Sequence, residues 1–85
     1  MYRVSYKRQA TRLPARMSAV DRKRILTALE QLARSPRSID LDTKRLEGRN
    51  GFRLRVGGWR VLYDLDDDRL IVLVLQIGSR GDAYR

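Results

Sequence analysis

A glycine pair framed by two alternating segments is the strongest constraint on this chain. Phe52 to Val56 alternates apolar and basic residues strictly, Trp59 to Leu65 alternates again, and Gly57-Gly58 stands between them. Alternation with a period of two marks a strand with one buried face, and a glycine pair at the join suits the two-residue turn of a β-hairpin. Such a turn sets Val56 against Trp59, Arg55 against Arg60, Leu54 against Val61 and Arg53 against Leu62. Directly paired residues share a face of the sheet, as do residues two apart. Arg53, Arg55 and Arg60 are therefore expected on one side, and Phe52, Leu54, Val56, Trp59, Val61 and Tyr63 on the other, toward the core. Like charges opposed across a strand pair cost some tenths of a kcal/mol, so this arrangement suits an anionic ligand. The plainer alternative is a solvated face with Asp64 or Glu47 as counter-ions.

The remaining segments predict an α+β fold. Tyr2, Val4 and Tyr6 alternate with Arg3 and Ser5 as a short half-buried strand. Ala10, Leu13 and Met17 follow at helical spacing, and Pro14 predicts a short helix that starts near Lys7 and ends near Leu13. Ser18 is a candidate N-cap with Asp21 three residues on. Behind it Ala19 to Ala33 carries Ile25, Leu29, Leu32 and Ala33 as a helical stripe, widened by Leu26. Ser35-Pro36 stops that helix, and residues 37–51, with Gly48 and Asn50-Gly51, are expected to be loop. Leu70 to Ile77, aliphatic as far as Leu75, predicts a central strand buried on both faces. The expected order is β-α-α-β-β-β: two helices on one face of a mostly antiparallel four-stranded sheet, with residues 1–85 forming a single domain.

Composition narrows the chemistry. The 85 residues include no Cys and no His, which excludes a disulfide framework, a thiolate zinc site, a cysteine nucleophile and any imidazole base. The net charge is +9, and 16 of the 19 basic residues are Arg, whose planar fork matches phosphate. An anionic partner is expected, nucleic acid first among them. Arg12, Arg16, Arg22 and Lys23 along the helices, with Lys44, Arg45 and Arg49 in the loop, form a second basic surface. The adjacent Asp66, Asp67 and Asp68 are expected in a solvated turn, since three neighbouring carboxylates in a turn cannot all face one ion; no metal or cofactor is expected. The N-terminus has no apolar signal region, and Leu70 to Leu75 is far short of the ~20 residues that span a bilayer, so no membrane role and a cytoplasmic location are expected. The tail from Ile77 to Arg85 is too short to add core but is placed to return Arg80 and Tyr84 toward the arginine face.

Taken together, Leu46-Glu47-Gly48, the run Phe52 to Tyr63, the segment Val74-Leu75-Gln76-Ile77-Gly78-Ser79-Arg80 and the ending Ala83-Tyr84-Arg85 resemble the RelE branch of the RelE/ParE toxin superfamily over nearly the whole chain. The resemblance implies the toxin of a type II toxin–antitoxin pair. Such a toxin is a ribosome-dependent endoribonuclease that cleaves messenger RNA in the A site by attack of a ribose 2′-hydroxyl on the adjacent phosphate. It implies catalytic roles for Arg53, Arg55, Arg60, Arg80 and Tyr84, and ribosomal RNA contacts from Arg12, Arg16, Arg22, Lys23, Lys44, Arg45 and Arg49. Many relatives carry His where this chain has Ser79, which leaves Glu47, Asp82 and Tyr84 as alternatives for proton transfer. The implied partners are the ribosome and a cognate acidic antitoxin in a hetero-oligomer. The competing reading is a ParE-like toxin that poisons DNA gyrase by protein–protein contact and has no nuclease site.

Overall fold

A computed structural model of the chain describes residues 1–8 and 17–79. Its elements run β1 (Arg3–Tyr6), α1 (Ala19–Arg34), β2 (Thr43–Arg45), β3 (Phe52–Val56), β4 (Trp59–Asp66) and β5 (Ile71–Ser79). The strands form one sheet in the order β1-β5-β4-β3-β2. From β2 onward the chain is an antiparallel meander, and β1 closes the far edge by pairing parallel to β5, with Val4 opposite Val72 and Tyr6 opposite Val74. The helix carries the chain from one sheet edge to the other, between β1 and β2, and the meander then returns it so that β5 lies parallel beside β1.

The helix starts where its cap requires. The Ser18 hydroxyl, on an extended residue, accepts from the Asp21 backbone N–H at 3.1 Å, and Asp21 adds a carboxylate to the first turn. Ile25, Leu29, Leu32 and Ala33 are buried as the spacing predicts, whereas Leu26 is exposed, so the apolar stripe is one row narrower than expected. These residues meet Leu54, Val61, Tyr63, Val72 and Val74 from the sheet and Met17 from the segment before the helix. Burying one Leu- or Ile-sized side chain stabilises by about 1.5–3 kcal/mol, so this shared face holds the two layers together. Phe52 and Tyr63, cross-strand partners, stack within it at 5.4 Å between ring centroids.

Three expectations change. The sheet has five strands rather than four, because Thr43–Arg45, inside the segment read as loop, pairs antiparallel with Phe52–Leu54. Three residues without clear alternation give little periodic signal; the partner strand recruits them. The sheet is mixed, since β1 lies parallel to β5. β5 is interior but not buried on both faces: Val72, Val74 and Gly78 are buried, and Leu73, Leu75 and Ile77 are half-buried. Among the described residues α1 is the one α-helix; the helix expected from Lys7 to Leu13 lies mostly outside them.

Candidate functional site

The hairpin register is the expected one, pair for pair: Val56 with Trp59, Arg55 with Arg60, Leu54 with Val61 and Arg53 with Leu62. Gly57 takes φ +59° and Gly58 does not take a positive φ, the pattern of a type II′ turn, whose twist suits a hairpin. Trp59 donates its indole N–H to Asp21 Oδ2 at 3.0 Å, which fastens the hairpin end to the first turn of α1. The helix covers the face carrying Leu54, Val61 and Tyr63, so Arg53, Arg55 and Arg60 project from the face away from it.

On that face the arginines divide between two hollows. Arg55 and Arg60 flank one of about 150 Å³ together with Gly57 and Gly58. Arg53 lines a second, of about 270 Å³, with Lys44, Arg45, Leu46, Glu47 and Arg49. For Arg53 and Arg55 the counter-ion is neither Asp64 nor Glu47. Asp42, just before β2, accepts from Arg53 Nη2 at 3.1 Å and lies 3.9 Å from Arg55 Nε. Asp64 instead accepts from the Leu65 backbone N–H, and Glu47 sits among the cations of the larger hollow. Asp42 lay in the stretch read as loop; the backbone bond from Arg55 N–H to its carbonyl brings it beside the arginines.

The arginine face is not simply solvated. Leu62, directly opposite Arg53, is fully buried, and the Arg53 side chain is only 13% exposed. At the shift between Leu62 and Tyr63 the partner of Leu62 is Gln76 and that of Tyr63 is Val74, which leaves Leu75 as the extra residue of a β-bulge. The loop after β2 closes over this point, with Leu46 N–H bonded to the Gly51 carbonyl at 3.0 Å. The place where a Gly51 Cβ would stand is 3.5 Å from a Leu46 methyl and 3.8 Å from a Leu75 methyl. The signal in the sequence was Leu62 itself, the apolar residue at a position where the alternation calls for a polar one.

The second basic surface separates into parts. Lys44, Arg45 and Arg49 join Arg53 in its hollow. Arg22 and Lys23 are exposed on α1, on the other side of the sheet, and Lys23 edges an apolar groove with Val20, Ala28 and Val56. Arg12, Arg16, Arg80, Asp82 and Tyr84 lie outside the described residues. The described tyrosines are not candidate bases at neutral pH. Burial pushes Tyr6 and Tyr63 upward, and the hydrogen bond to Asp67 raises Tyr2. No group of three His, Cys, Asp or Glu among the described residues is arranged to hold a metal ion, and none of their helices is long and apolar enough to cross a membrane.

Known proteins include relatives of this chain in sequence and in fold. The family model for the ParE toxin of type II toxin–antitoxin systems matches residues 2–84. The curated toxin RelG of Mycobacterium tuberculosis is 32% identical over 79 residues, covering 93% of this chain and 86% of that protein. Among solved structures, the archaeal RelE–RelB complex of Pyrococcus horikoshii contains a chain 26% identical with a TM-score of 0.80, covering 96% of this chain and 98% of that one. A chain of the M. tuberculosis toxin–antitoxin complex RelBE2 is 30% identical with a TM-score of 0.62, covering 93% of this chain and 98% of its own length. The chain therefore belongs to the RelE/ParE superfamily of type II toxin–antitoxin toxins, in its RelE-like branch.

Proposed function

We propose that this toxin is a ribosome-dependent endoribonuclease that inhibits translation by cleaving messenger RNA in the A site. The observation that carries the reading is the opposition of Arg55 and Arg60 across the Gly57-Gly58 turn, flanking a hollow of about 150 Å³. In the reaction the 2′-oxygen forms a bond to phosphorus and loses its proton. The bond from phosphorus to the 5′-oxygen breaks, and that oxygen takes up a proton. The products are a 2′,3′-cyclic phosphate and a 5′-hydroxyl. Negative charge grows on the phosphoryl oxygens in the transition state, and preorganised guanidiniums stabilise it there.

In this reading Arg55 and Arg60 hold the scissile phosphate and Arg53 the neighbouring backbone. Lys44, Arg45 and Arg49 extend the grip along the RNA. Arg80 and Tyr84 keep the catalytic roles that the resemblance gives them. Of the proton-transfer alternatives Glu47 is the one within the described residues, and it lines the neighbouring hollow with Arg53 rather than the one between Arg55 and Arg60. Arg12, Arg16, Arg22 and Lys23 remain proposed contacts to ribosomal RNA, and the site of action is the cytoplasm. The toxin's resting partner is a cognate acidic antitoxin, as the RelE–RelB complexes among its structural neighbours suggest.

The ParE description of the matching family model supports a second reading, inhibition of DNA gyrase by protein contact alone. Adding the purified toxin to translating ribosomes separates the two. Message cut only when ribosomes are present, with 5′-hydroxyl ends, is the expected result. Intact message together with gyrase-linked DNA breaks would establish the second reading instead.

A further inference from the structure

Asp42 stands between the two hollows and touches an arginine of each. Its carboxylate meets Arg53 at 3.1 Å and Arg55 at 3.9 Å. Its backbone is pinned just before β2, with the carbonyl accepting from Arg55 N–H at 2.9 Å, which keeps the side chain within reach of both arginines. The two arginines it bridges differ in freedom. Arg53 is 13% exposed, and its buried Nε has no hydrogen-bond partner, whereas Arg55 is 45% exposed. Asp42 itself is 55% exposed, so water and an incoming anion reach the same carboxylate.

We infer that Asp42 is a positioning residue and a built-in competitor for phosphate: it holds Arg53 and Arg55 in register in the free toxin and yields them to the RNA backbone on binding. The inference rests on the reading of the arginine face as an RNA site. Arg53 and Arg55 lie two residues apart on β3, so their α-carbons are about 6.8 Å apart, a step comparable to that between successive phosphates of an extended strand. One carboxylate between them occupies the space that two phosphates would approach. Asp42 and Arg55 are each about half exposed, and an ion pair open to water is weak, so phosphate displaces the carboxylate from Arg55 first.

The test is the affinity for a fluorescently labelled, 2′-O-methylated single-stranded RNA oligonucleotide, which cannot be cleaved, measured by anisotropy at fixed salt. Asp42→Asn keeps the shape and removes the charge. It is expected to tighten binding about 5-fold, the factor by which an ion pair at about 4 Å in water holds the arginines back from a competing anion. Asp40→Asn removes an equal charge from a loop carboxylate that makes no ion pair with Arg53 or Arg55, and it is expected to change binding less than about 2-fold. Asp42→Ser serves as the second variant should the Asn form fold poorly. The gain must vanish when Arg53 and Arg55 are both replaced by Ala. A gain no larger than that of Asp40→Asn, or one that persists without the two arginines, overturns the inference. In parallel, cleavage on ribosomes is expected to show a lower KM and a kcat no higher than wild type for Asp42→Asn. If no variant cleaves but the charge-dependent tightening remains, the nuclease reading fails while the competition at Asp42 stands.

Discussion

The backbone at Gly51 runs at φ +113°, and a Cβ there would stand 3.0 Å from the Tyr63 carbonyl oxygen. Both conditions exclude a side chain: L-residues rarely adopt that φ, and the neighbour is backbone that cannot swing aside. Gly48, at φ +70°, has open space around it. Gly51→Ala is therefore expected to destabilise by about 1–3 kcal/mol and Gly48→Ala by less, read as a shift in urea midpoint at unchanged slope. Asn50-Gly51 was legible in the sequence as a turn, but the close approach of Tyr63 was not, because it depends on a strand far along the chain. The same holds for Asp42. Its charge was visible, yet only the pairing of β2 with β3 sets it beside Arg53 and Arg55. Leu62 and the arginines, by contrast, stood in positions that the turn arithmetic had already fixed.

Elements with strong local signals were readable, and those created by their neighbours were not. Ser18 and the Ile25-Leu29-Leu32 stripe placed α1 to within a residue, and the glycine turn placed the hairpin. β2 and the parallel docking of β1 follow from long-range pairing that short segments do not announce. The turn between β4 and β5 also does more than its three aspartates suggested. Asp66 accepts from the Arg69 backbone N–H, while Asp67 binds Arg37 at 2.9 Å and accepts from the Tyr2 hydroxyl. One carboxylate thus ties the exit of α1 and the start of β1 to that turn. Arg37 and the Tyr2 hydroxyl hold the Asp67 carboxyl below its ordinary value. A group whose pKa falls on folding contributes stability above its unfolded value and loses it as pH drops through the folded one. Asp67→Asn is accordingly expected to melt below wild type at neutral pH, with the gap closing in thermal melts once the pH falls below about 4. A gap that is constant down to strongly acidic pH would show that the carboxylate charge is not what the clip uses.

At the scale of the whole molecule, the two faces of one sheet divide the work. The helix side buries the core, and the opposite side gathers basic residues around a small apolar patch at Leu46, Leu62 and Leu75. Part of the +9 net charge is gathered on that side, in Lys44, Arg45, Arg49, Arg53, Arg55 and Arg60, while Arg22 and Lys23 stand on the helix; in the proposed reading the first group acts together on a phosphate backbone. The lack of histidine leaves transition-state stabilisation by guanidinium as the main catalytic resource of the proposed reaction. The most direct test is single-turnover cleavage of message on programmed ribosomes by wild type and by Arg60→Ala, with melting curves confirming that both are folded. A drop of at least about 100-fold in cleavage rate, as expected for a lost transition-state charge contact, is what the arginine-face account predicts. Cleavage by Arg60→Ala at the wild-type rate would contradict it.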